Sequence, residues 1–307
     1  MSLGNPWQPA YLKLDADGEL GRRIEEAYAL LEDCILCPHR CRVNRLQGEK
    51  GICGGPAQGV VASYNPHFGE EAPLVGRGGS GTIFFSYCNL GCVFCQNWTI
   101  AHGGRGRQVS DEELARMMLH LQEQGCHNIN LVTPTHFMPQ ILRALGLAVR
   151  QGLSIPLCYN TNGYERVEIL RLLDGIVDIY LPDLKFMGGV EAHRYTEGAT
   201  FDYPHRAKGA IEEMYRQVGK LITDDQGIAL QGLMIRHLVM PNGVGGTEDF
   251  IRWVAGLSPE IYVNIMGQYR PEYRAIEYPP IARPVSSKEY LEALKSAQKA
   301  GLKSLDG

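Results

Sequence analysis

Three cysteines stand close together in the stretch CNLGCVFCQN, at positions 88, 92 and 95. Thiolates are the ligands of iron–sulfur clusters, whereas a structural zinc site normally fills all four of its positions. Three thiolates on one short loop can hold three irons of a cubane cluster and leave the fourth iron free for another ligand. The spacing therefore predicts a [4Fe–4S] cluster on Cys88, Cys92 and Cys95, shielded from water by Phe94. The alternative is a zinc knuckle that is completed by a distant ligand.

A second group of four cysteines lies nearer the N-terminus, at Cys34, Cys37, Cys41 and Cys53. Their segment is rich in Gly, Pro and polar residues, and a bound metal would replace the core that so short a piece cannot build. The spacing is typical of a zinc ribbon, and zinc is our first interpretation. A second iron–sulfur cluster, or thiols without a metal, are the alternatives, and His39 is a competing ligand.

The composition predicts a soluble, cytoplasmic protein. The chain has 307 residues, of which 44% are hydrophobic, and its formal net charge is -4. No apolar run is long enough to span a bilayer or placed to direct export, so we expect a reducing compartment in which clustered cysteines bind metals. Because no block of like charge is present, we expect neither nucleic acid nor a membrane as a partner.

Beyond residue 75, predicted strands alternate with predicted helices. The strands are predicted at 82–87, 128–132, 155–160, 176–183, 233–240 and 261–267. The helices are predicted at 110–125, 138–151, 164–174, 205–220, 246–257 and 286–301. Ser110 and Glu113 form the pattern of a capping box at the first of these helices. Six strand–helix units predict an α/β fold with a parallel sheet, curled into a partial (β/α)6 TIM-type barrel.

We predict two parts along the chain. Residues 1–75 comprise a helix at about 20–33 and the cysteine-rich, loop-rich segment, which form an appendage. Residues 76–307 form the partial barrel, after a glycine-rich stretch, GRGGSG, that is typical of a flexible joint. In such barrels the chemistry lies at the C-terminal ends of the strands, and the loop of Cys88 directly follows the first strand.

The cysteine loop resembles the signature of the radical S-adenosylmethionine (SAM) superfamily. CNLGCVFC is similar to its C-x3-C-x-aromatic-C pattern, and the resemblance extends from about residue 34 to residue 305. It is nearest to proteins that resemble the pyruvate formate-lyase activating enzyme. The further segments that carry it are CPHRCRVNRLQGEKGIC, NLVTPTHFMPQI, NTNG, LPDLKF, RHLVMPNG and NIMGQY.

The resemblance implies an oxidoreductase with a [4Fe–4S] cluster and SAM as cofactors. The open iron would bind SAM, and an electron from the reduced cluster would split it into methionine and a 5′-deoxyadenosyl radical that abstracts hydrogen. As in activating enzymes, the hydrogen would come from a glycine of a partner, a glycyl-radical enzyme, and flavodoxin or ferredoxin would be the reductant. One alternative is radical modification of a small molecule or peptide. Another is a non-catalytic iron–sulfur electron carrier or metal-dependent adaptor.

The resemblance also implies residues that bind SAM at the strand ends. These are Thr133, Thr135, Asn160, Asn162, Asp183, Lys185, Arg236 and Gln268. The threonines stand where the superfamily often has a Gly-Gly-Glu run, and Lys185 and Arg236 are expected to meet the carboxylate of SAM. Structural ion pairs are the alternative for the two cations, and turn formation is the alternative for the asparagines. No catalytic side chain is predicted.

Overall fold

The computed structural model describes residues 7–197 and 201–306. The described strands, in chain order, are β1 (Gly59–His67), β2 (Ser80–Phe85), β3 (Arg107–Val109), β4 (Ile129–Val132), β5 (Leu157–Thr161), β6 (Ile179–Pro182), β7 (Ile222–Thr223), β8 (Ala229–Leu238), β9 (Tyr262–Met266) and β10 (Ser304–Asp306). They form one sheet with the order β10–β9–β8–β6–β5–β4–β2–β1–β3, and β7 pairs with β8 outside this path.

The parallel part of the sheet is the predicted partial barrel. From β2 to β10, neighbouring strands of the main path run parallel, whereas β1 pairs antiparallel with both β2 and β3. Six of the parallel strands, β2, β4, β5, β6, β8 and β9, are each followed by a helix, as a (β/α)6 arrangement requires. The predicted fold class is confirmed, and β1, β3, β7 and β10 are additions that the sequence analysis did not predict.

Helices cover the outside of the sheet. The described α-helices are α1 (Ala10–Ala16), α2 (Glu19–Ala29), α3 (Ala72–Val75), α4 (Trp98–Ala101), α5 (Asp111–Glu123), α6 (Met138–Val149), α7 (Val167–Leu170), α8 (Gly189–Tyr195), α9 (Tyr203–Val218), α10 (Thr247–Leu257) and α11 (Ser287–Lys299). Short 3-10 turns lie at Arg45–Gln47, Thr135–Phe137, Arg171–Leu173, Pro241–Gly243, Ala275–Glu277 and Pro279–Ile281. No helix in the described part of the chain has the length and apolarity to cross a bilayer.

The capping box predicted for α5 is present. The N–H of Glu113 donates to the Ser110 hydroxyl at 3.2 Å, and the Glu113 carboxylate accepts from the Ser110 N–H at 2.9 Å. The strand predicted at 233–240 is longer than expected, because its first residues pair with β7 in a hairpin. The helix predicted at 164–174 is shorter, and it continues as a 3-10 turn.

The segment between β1 and β2, residues 68–79, closes the floor of the barrel and is called the plug. Leu74 of α3 is fully buried against side chains of β5, β6 and β8, including Cys158 and Met234. These two side chains point into the barrel, because each lies two residues before a residue that lines the mouth, Asn160 or Arg236, on the same face of its strand. The side-chain amide of Asn128 holds the plug by donating to the Leu74 carbonyl at 2.9 Å.

The glycine-rich stretch GRGGSG is not a flexible joint, so that expectation was wrong. A Cβ at Gly76 would lie 2.4 Å from Ile228, and one at Gly78 would lie 2.0 Å from the Gly125 carbonyl oxygen. Gly76 also has a φ of 45°, which side chains other than glycine rarely adopt. The glycines therefore let the chain pass tightly from the plug into β2.

The N-terminal helices pack on the outside of the barrel. Leu20 and Ile24 of α2 face the bare backbone of Gly146 in α6, and they belong to the same hydrophobic cluster as the barrel helices. The Tyr11 hydroxyl donates to the Ile155 carbonyl at 2.7 Å and fastens α1. The division into residues 1–75 and 76–307 stays a prediction.

Candidate active site at the barrel mouth

A cavity of about 270 Å³ lies at the C-terminal ends of the parallel strands. All six barrel strands, or the residues directly after them, contribute to its wall, and the loop of three cysteines supplies another side. Its polar lining consists of Cys88, Cys92, Cys95, Gln96, Asn97, His102, Thr133, Asn160, Thr161, Asn162, Asp183, Lys185, Arg236 and Gln268. The strand-end rule therefore locates the cavity correctly.

A strained turn sends the chain from β2 into the cysteine loop. Tyr87 has a φ of 69°, in the left-handed region that is unusual for a bulky residue. Its ring packs where a Cβ of Gly104 would stand, at 2.5 Å, and close to Gly54 as well. Such strain persists only where the surroundings fix it, and here it places Cys88 at the mouth.

The three thiols share one wall of the cavity. Burial raises the pKa of the Cys92 thiol and raises that of Cys95 to about 11, while Lys185 acts against both increases. Two donors face the third sulfur, because the N–H of Leu90 and the amide of Asn162 lie 3.4 and 3.3 Å from Cys88 Sγ. Donors to sulfur and a nearby cation favour the thiolate that a metal ligand requires.

This donor set fits an iron–sulfur cluster better than a single ion. Within the described residues, no three His, Cys, Asp or Glu side chains converge closely enough to hold one metal ion. In a cubane cluster each thiolate binds a different iron, so its ligands are spread more widely than those of a single ion. Phe94 closes the inner side, since its ring meets those of Phe186 and Tyr269 at about 6 Å.

A network of buried charges lies opposite the cysteine loop. Asp183 accepts from Lys185 Nζ at 2.5 Å and from Arg236 Nε at 2.8 Å, and Arg236 also donates to the Asn160 side chain at 2.5 Å. Glu70, from the plug, lies 3.4 Å from the Arg236 guanidinium. The two cations outweigh burial and hold the pKa of Asp183 below its usual value.

Glu70 sets the net charge of this network. Burial raises the pKa of Glu70 to about 7, although Arg236 opposes the increase. When Glu70 is neutral, the network carries one more positive charge than when Glu70 is ionised, which favours an anionic ligand. Lys185 and Arg236 thus make the ion pairs of the structural alternative and also line the cavity, where a carboxylate can reach them.

The other residues predicted to bind SAM fall into two sets. Thr133, Asn162 and Gln268 line the cavity, and Thr133 has a φ of 59° that holds the turn after β4. Thr135 does not line it, because the 3-10 turn after β4 buries its side chain. Its hydroxyl donates instead to Glu165, behind the cavity wall.

Sequence reasoning missed two buried acids near the site. Glu165 accepts from Thr135 and Thr161, one of its carboxylate oxygens has no partner, and burial raises its pKa to about 7. Glu70 was missed because it lies in the short segment before α3, whose single helical turn carries no periodic pattern. The only signal was a pair of acids, Glu70 and Glu71, next to glycine in a stretch otherwise classed as loop.

The four N-terminal cysteines lie outside the cavity wall. Cys34 and Cys37 are buried, and Cys41 and Cys53 are partly exposed. As for the barrel loop, no three of them converge on a point suited to one ion. The second metal site stays a prediction.

Comparison with known proteins agrees with the cysteine loop. Residues 82–185 match the family profile of the Radical SAM superfamily. An uncharacterised protein of Methanocaldococcus jannaschii is 34% identical over 297 residues, which cover 92% of this chain and 79% of the relative. A second uncharacterised protein of that organism is 22% identical over 280 residues, or 82% of this chain and 76% of the relative.

Two solved structures are similar more distantly. Methylornithine synthase aligns with a TM-score of 0.49 and 12% identity, over 98% of this chain and 76% of that one. A cobalamin-dependent SAM radical enzyme aligns with a TM-score of 0.38 and 14% identity, over 69% of this chain and 29% of that one. On the cysteine loop, the family profile and the 34% identical relative, the chain belongs to the radical SAM superfamily.

Proposed function

We propose that this radical SAM enzyme abstracts hydrogen from a small molecule or short peptide held in the barrel mouth, rather than from a glycine of a partner enzyme. The observation that carries the proposal is the segment 266–285, which joins the cavity wall to the cysteine loop. Met266, Gln268 and Tyr269 line the cavity from this segment. A glycyl-radical partner would have to insert a loop of a folded protein past it.

The segment 266–285 is fastened to the cysteine loop and the helix that follows it at several points. The ring of Tyr273 stacks on Trp98 at 5.6 Å and on His102 at 4.5 Å. The N–H of Arg274 donates to the Val93 carbonyl at 2.9 Å, between the second and third cysteines of the loop. Opening the mouth for a protein loop would break these contacts, whereas a small substrate would need only the space beside them.

The cofactor side of the site follows from the donor set. Cys88, Cys92 and Cys95 would hold the [4Fe–4S] cluster. Reduced by a flavodoxin- or ferredoxin-like donor, the cluster supplies the electron that splits SAM and yields the radical that abstracts hydrogen. Lys185 and Arg236, with one positive charge in excess of Asp183, would hold the SAM carboxylate.

The remaining wall residues would orient the cofactor and exclude water. Asn160 and Asn162 offer amide groups at the end of β5, next to the thiol of Cys88. Phe94 and Tyr269 supply an apolar surface where a radical would be protected from solvent. Hydrogen abstraction by the radical needs no proton transfer from a side chain.

The first experiment tests cofactor chemistry. The chain is reconstituted anaerobically with iron and sulfide, reduced with dithionite and incubated with SAM, and 5′-deoxyadenosine is measured. We expect it from the wild type and from Cys126→Ala, whose buried thiol lies outside both cysteine groups, but not from Cys88→Ala/Cys92→Ala/Cys95→Ala. Wild type that carries a cluster but forms no 5′-deoxyadenosine would instead favour the electron carrier.

The second experiment distinguishes the substrate classes. Source cells are grown in deuterated water, and their metabolites and proteins are separated and added in turn to the assay. We expect deuterium to enter 5′-deoxyadenosine from the metabolite fraction. Label that comes only from the protein fraction, together with a glycyl-radical signal in electron paramagnetic resonance (EPR), would overturn this proposal in favour of an activating enzyme.

A further inference from the structure

The N-terminal cysteines are brought together by a tight, strained backbone. The N–H of Arg42 donates to the Cys34 carbonyl at 2.9 Å, and the N–H of Arg40 donates to the Cys37 carbonyl at 3.1 Å. Arg40 and Arg42, on either side of Cys41, have φ values of 45° and 56°. Left-handed backbone at residues other than glycine is unfavourable and clusters at ligand sites.

Backbone donors face two of these sulfurs. The N–H of Ile52 lies 3.4 Å from Cys41 Sγ, and the N–H of Gly55 lies 3.4 Å from Cys53 Sγ. Gly51 lets the chain return over Cys41, because a Cβ there would lie 2.8 Å from that sulfur. N–H donors to sulfur stabilise the charged thiolate and not the thiol.

Arg45 is a buried cation beside the N-terminal cysteines, and no carboxylate in the described part of the chain forms an ion pair with it. Arg45 is 1% exposed and donates to the carbonyls of His136 and Pro56, which carry no net charge. Its Nε is buried without a hydrogen-bond partner. A Cβ at Gly55 would lie 3.3 Å from an Arg45 guanidinium nitrogen and 3.5 Å from Cys53 Sγ, so the cation and this sulfur flank the same glycine. Burying an unneutralised arginine is costly, so its position is explained best by negative charge on the thiolates.

We propose that Cys34, Cys37, Cys41 and Cys53 hold a second iron–sulfur cluster, all of whose protein ligands come from this segment. Within the described residues, no three side chains of either cysteine group are placed to hold one ion, so the N-terminal group shares this property with the loop for which the radical SAM family implies a cluster. Four thiolates complete the ligation of a cluster, so this one has no open iron for SAM.

The second cluster would lie beside the first. His39, between Cys37 and Cys41, contacts the Asn89 carbonyl at 2.6 Å, and Asn89 directly follows Cys88. The Asn89 side chain is bonded in turn to Asn162, the donor to Cys88. The N-terminal segment therefore supports the loop that holds the catalytic cluster.

The test uses the full chain, reconstituted anaerobically, in two variants that each remove one group. Cys88→Ala/Cys92→Ala/Cys95→Ala is expected to keep iron and acid-labile sulfide in equal amounts, at roughly half the wild-type content if both clusters are of the four-iron type. After reduction its EPR signal should not change when SAM is added. Cys37→Ala/Cys53→Ala is expected to keep the complementary signal, which SAM alters.

The outcomes are separable from those that test the proposed function. A triple variant without iron, or one with a single zinc and no sulfide, overturns the second cluster and leaves SAM cleavage untouched. Cys126→Ala, which also removes one buried thiol, should retain all the iron; equal loss there would mean that packing explains the result and would defeat the proposal. If Cys37→Ala/Cys53→Ala fails to fold, the iron, sulfide and zinc contents of the triple variant and the wild type still decide.

Discussion

The two cysteine groups differ in what neutralises the charge around them. The cation beside the barrel loop is Lys185, which is already paired with Asp183. The cation beside the N-terminal group is Arg45, whose bonds go to backbone carbonyls. The barrel loop has three thiols and an adjacent cavity, whereas the N-terminal group has four thiols and lies outside that cavity.

The difference indicates two kinds of site. At the barrel loop three thiolates would leave one ligand position free, so the surroundings must also bind the incoming ligand. The buried network there has two cations, Lys185 and Arg236, around the carboxylate of Asp183. In the proposed second site four thiolates would fill the ligand positions, so a fixed cation would offset part of their charge and no cavity would be needed. On the two proposals made above, the same residue type would build a binding site in one region and a closed structural unit in the other.

The largest expected effect is on the network of the barrel site. Asp183→Asn leaves Lys185 and Arg236 buried without their shared carboxylate. Breaking a buried ion pair by removing one partner costs about 3–5 kcal/mol, so we expect a loss of that size in the free energy of unfolding, measured by denaturant titration. Asp174→Asn, which removes a carboxylate from an exposed pair with Arg216, is the control and should change stability little. Equal losses in the free energy of unfolding of the two variants would mean that Asp183 does not stabilise the two buried cations.

A smaller effect is expected at the N-terminal group. Arg45→Met leaves the buried carbonyl of His136 and the partly buried carbonyl of Pro56 without this donor, at about 1–3 kcal/mol in the free energy of unfolding, and removes the adjacent positive charge. We expect the iron of this group to be lost while the SAM-responsive EPR signal of the barrel cluster persists. Arg45→Lys keeps the charge and should keep the iron. Full iron content in Arg45→Met would break the comparison, because the cation would then have no role in holding the cluster.

Much of the barrel was predictable because its signals are local. The capping box of α5 needs only Ser110 and Glu113, and each parallel strand is an apolar run of ordinary length. Helix α3 was not predictable, because one turn has no periodicity and its burial depends on strands far along the chain. The glycines at 76–81 were misjudged for the same reason: close approach to Gly125 is a tertiary fact that composition does not contain.

The candidate site was predictable to the level of strand ends and not beyond. Asn160, Asp183 and Arg236 were identified, and all three line one cavity. Thr135 lies behind the cavity wall, and Thr161, which was not predicted, lines the cavity, because the direction of a side chain after a strand depends on the turn that follows. The pairing among charged residues also had no sequence signal, since Glu70 reaches Arg236 across 166 positions.

The smallest expected effect concerns the pH dependence of SAM binding and the two buried acids near the barrel site. Glu70 faces Arg236, Glu71 and Asp183, and burial raises its pKa to about 7. Below that pH Glu70 is neutral; above it, ionised Glu70 adds one negative charge beside Arg236, which weakens the attraction of the network for a carboxylate. We therefore expect the Kd of SAM to rise by up to roughly tenfold from about pH 6 to about pH 8, since one pKa unit corresponds to about 1.4 kcal/mol.

The matched variants identify which acid is responsible. Glu70→Gln should bind SAM with nearly the same Kd across this range, because the ionising group is gone while its shape is kept. Glu165 is also buried with a pKa of about 7, but it bonds to threonine hydroxyls and not to the cations. Glu165→Gln should therefore leave the pH dependence in place. A flat profile in Glu165→Gln and a sloping one in Glu70→Gln would assign the titration to the wall shared with Thr161, and the net charge of the Arg236 network would then not control how SAM binds.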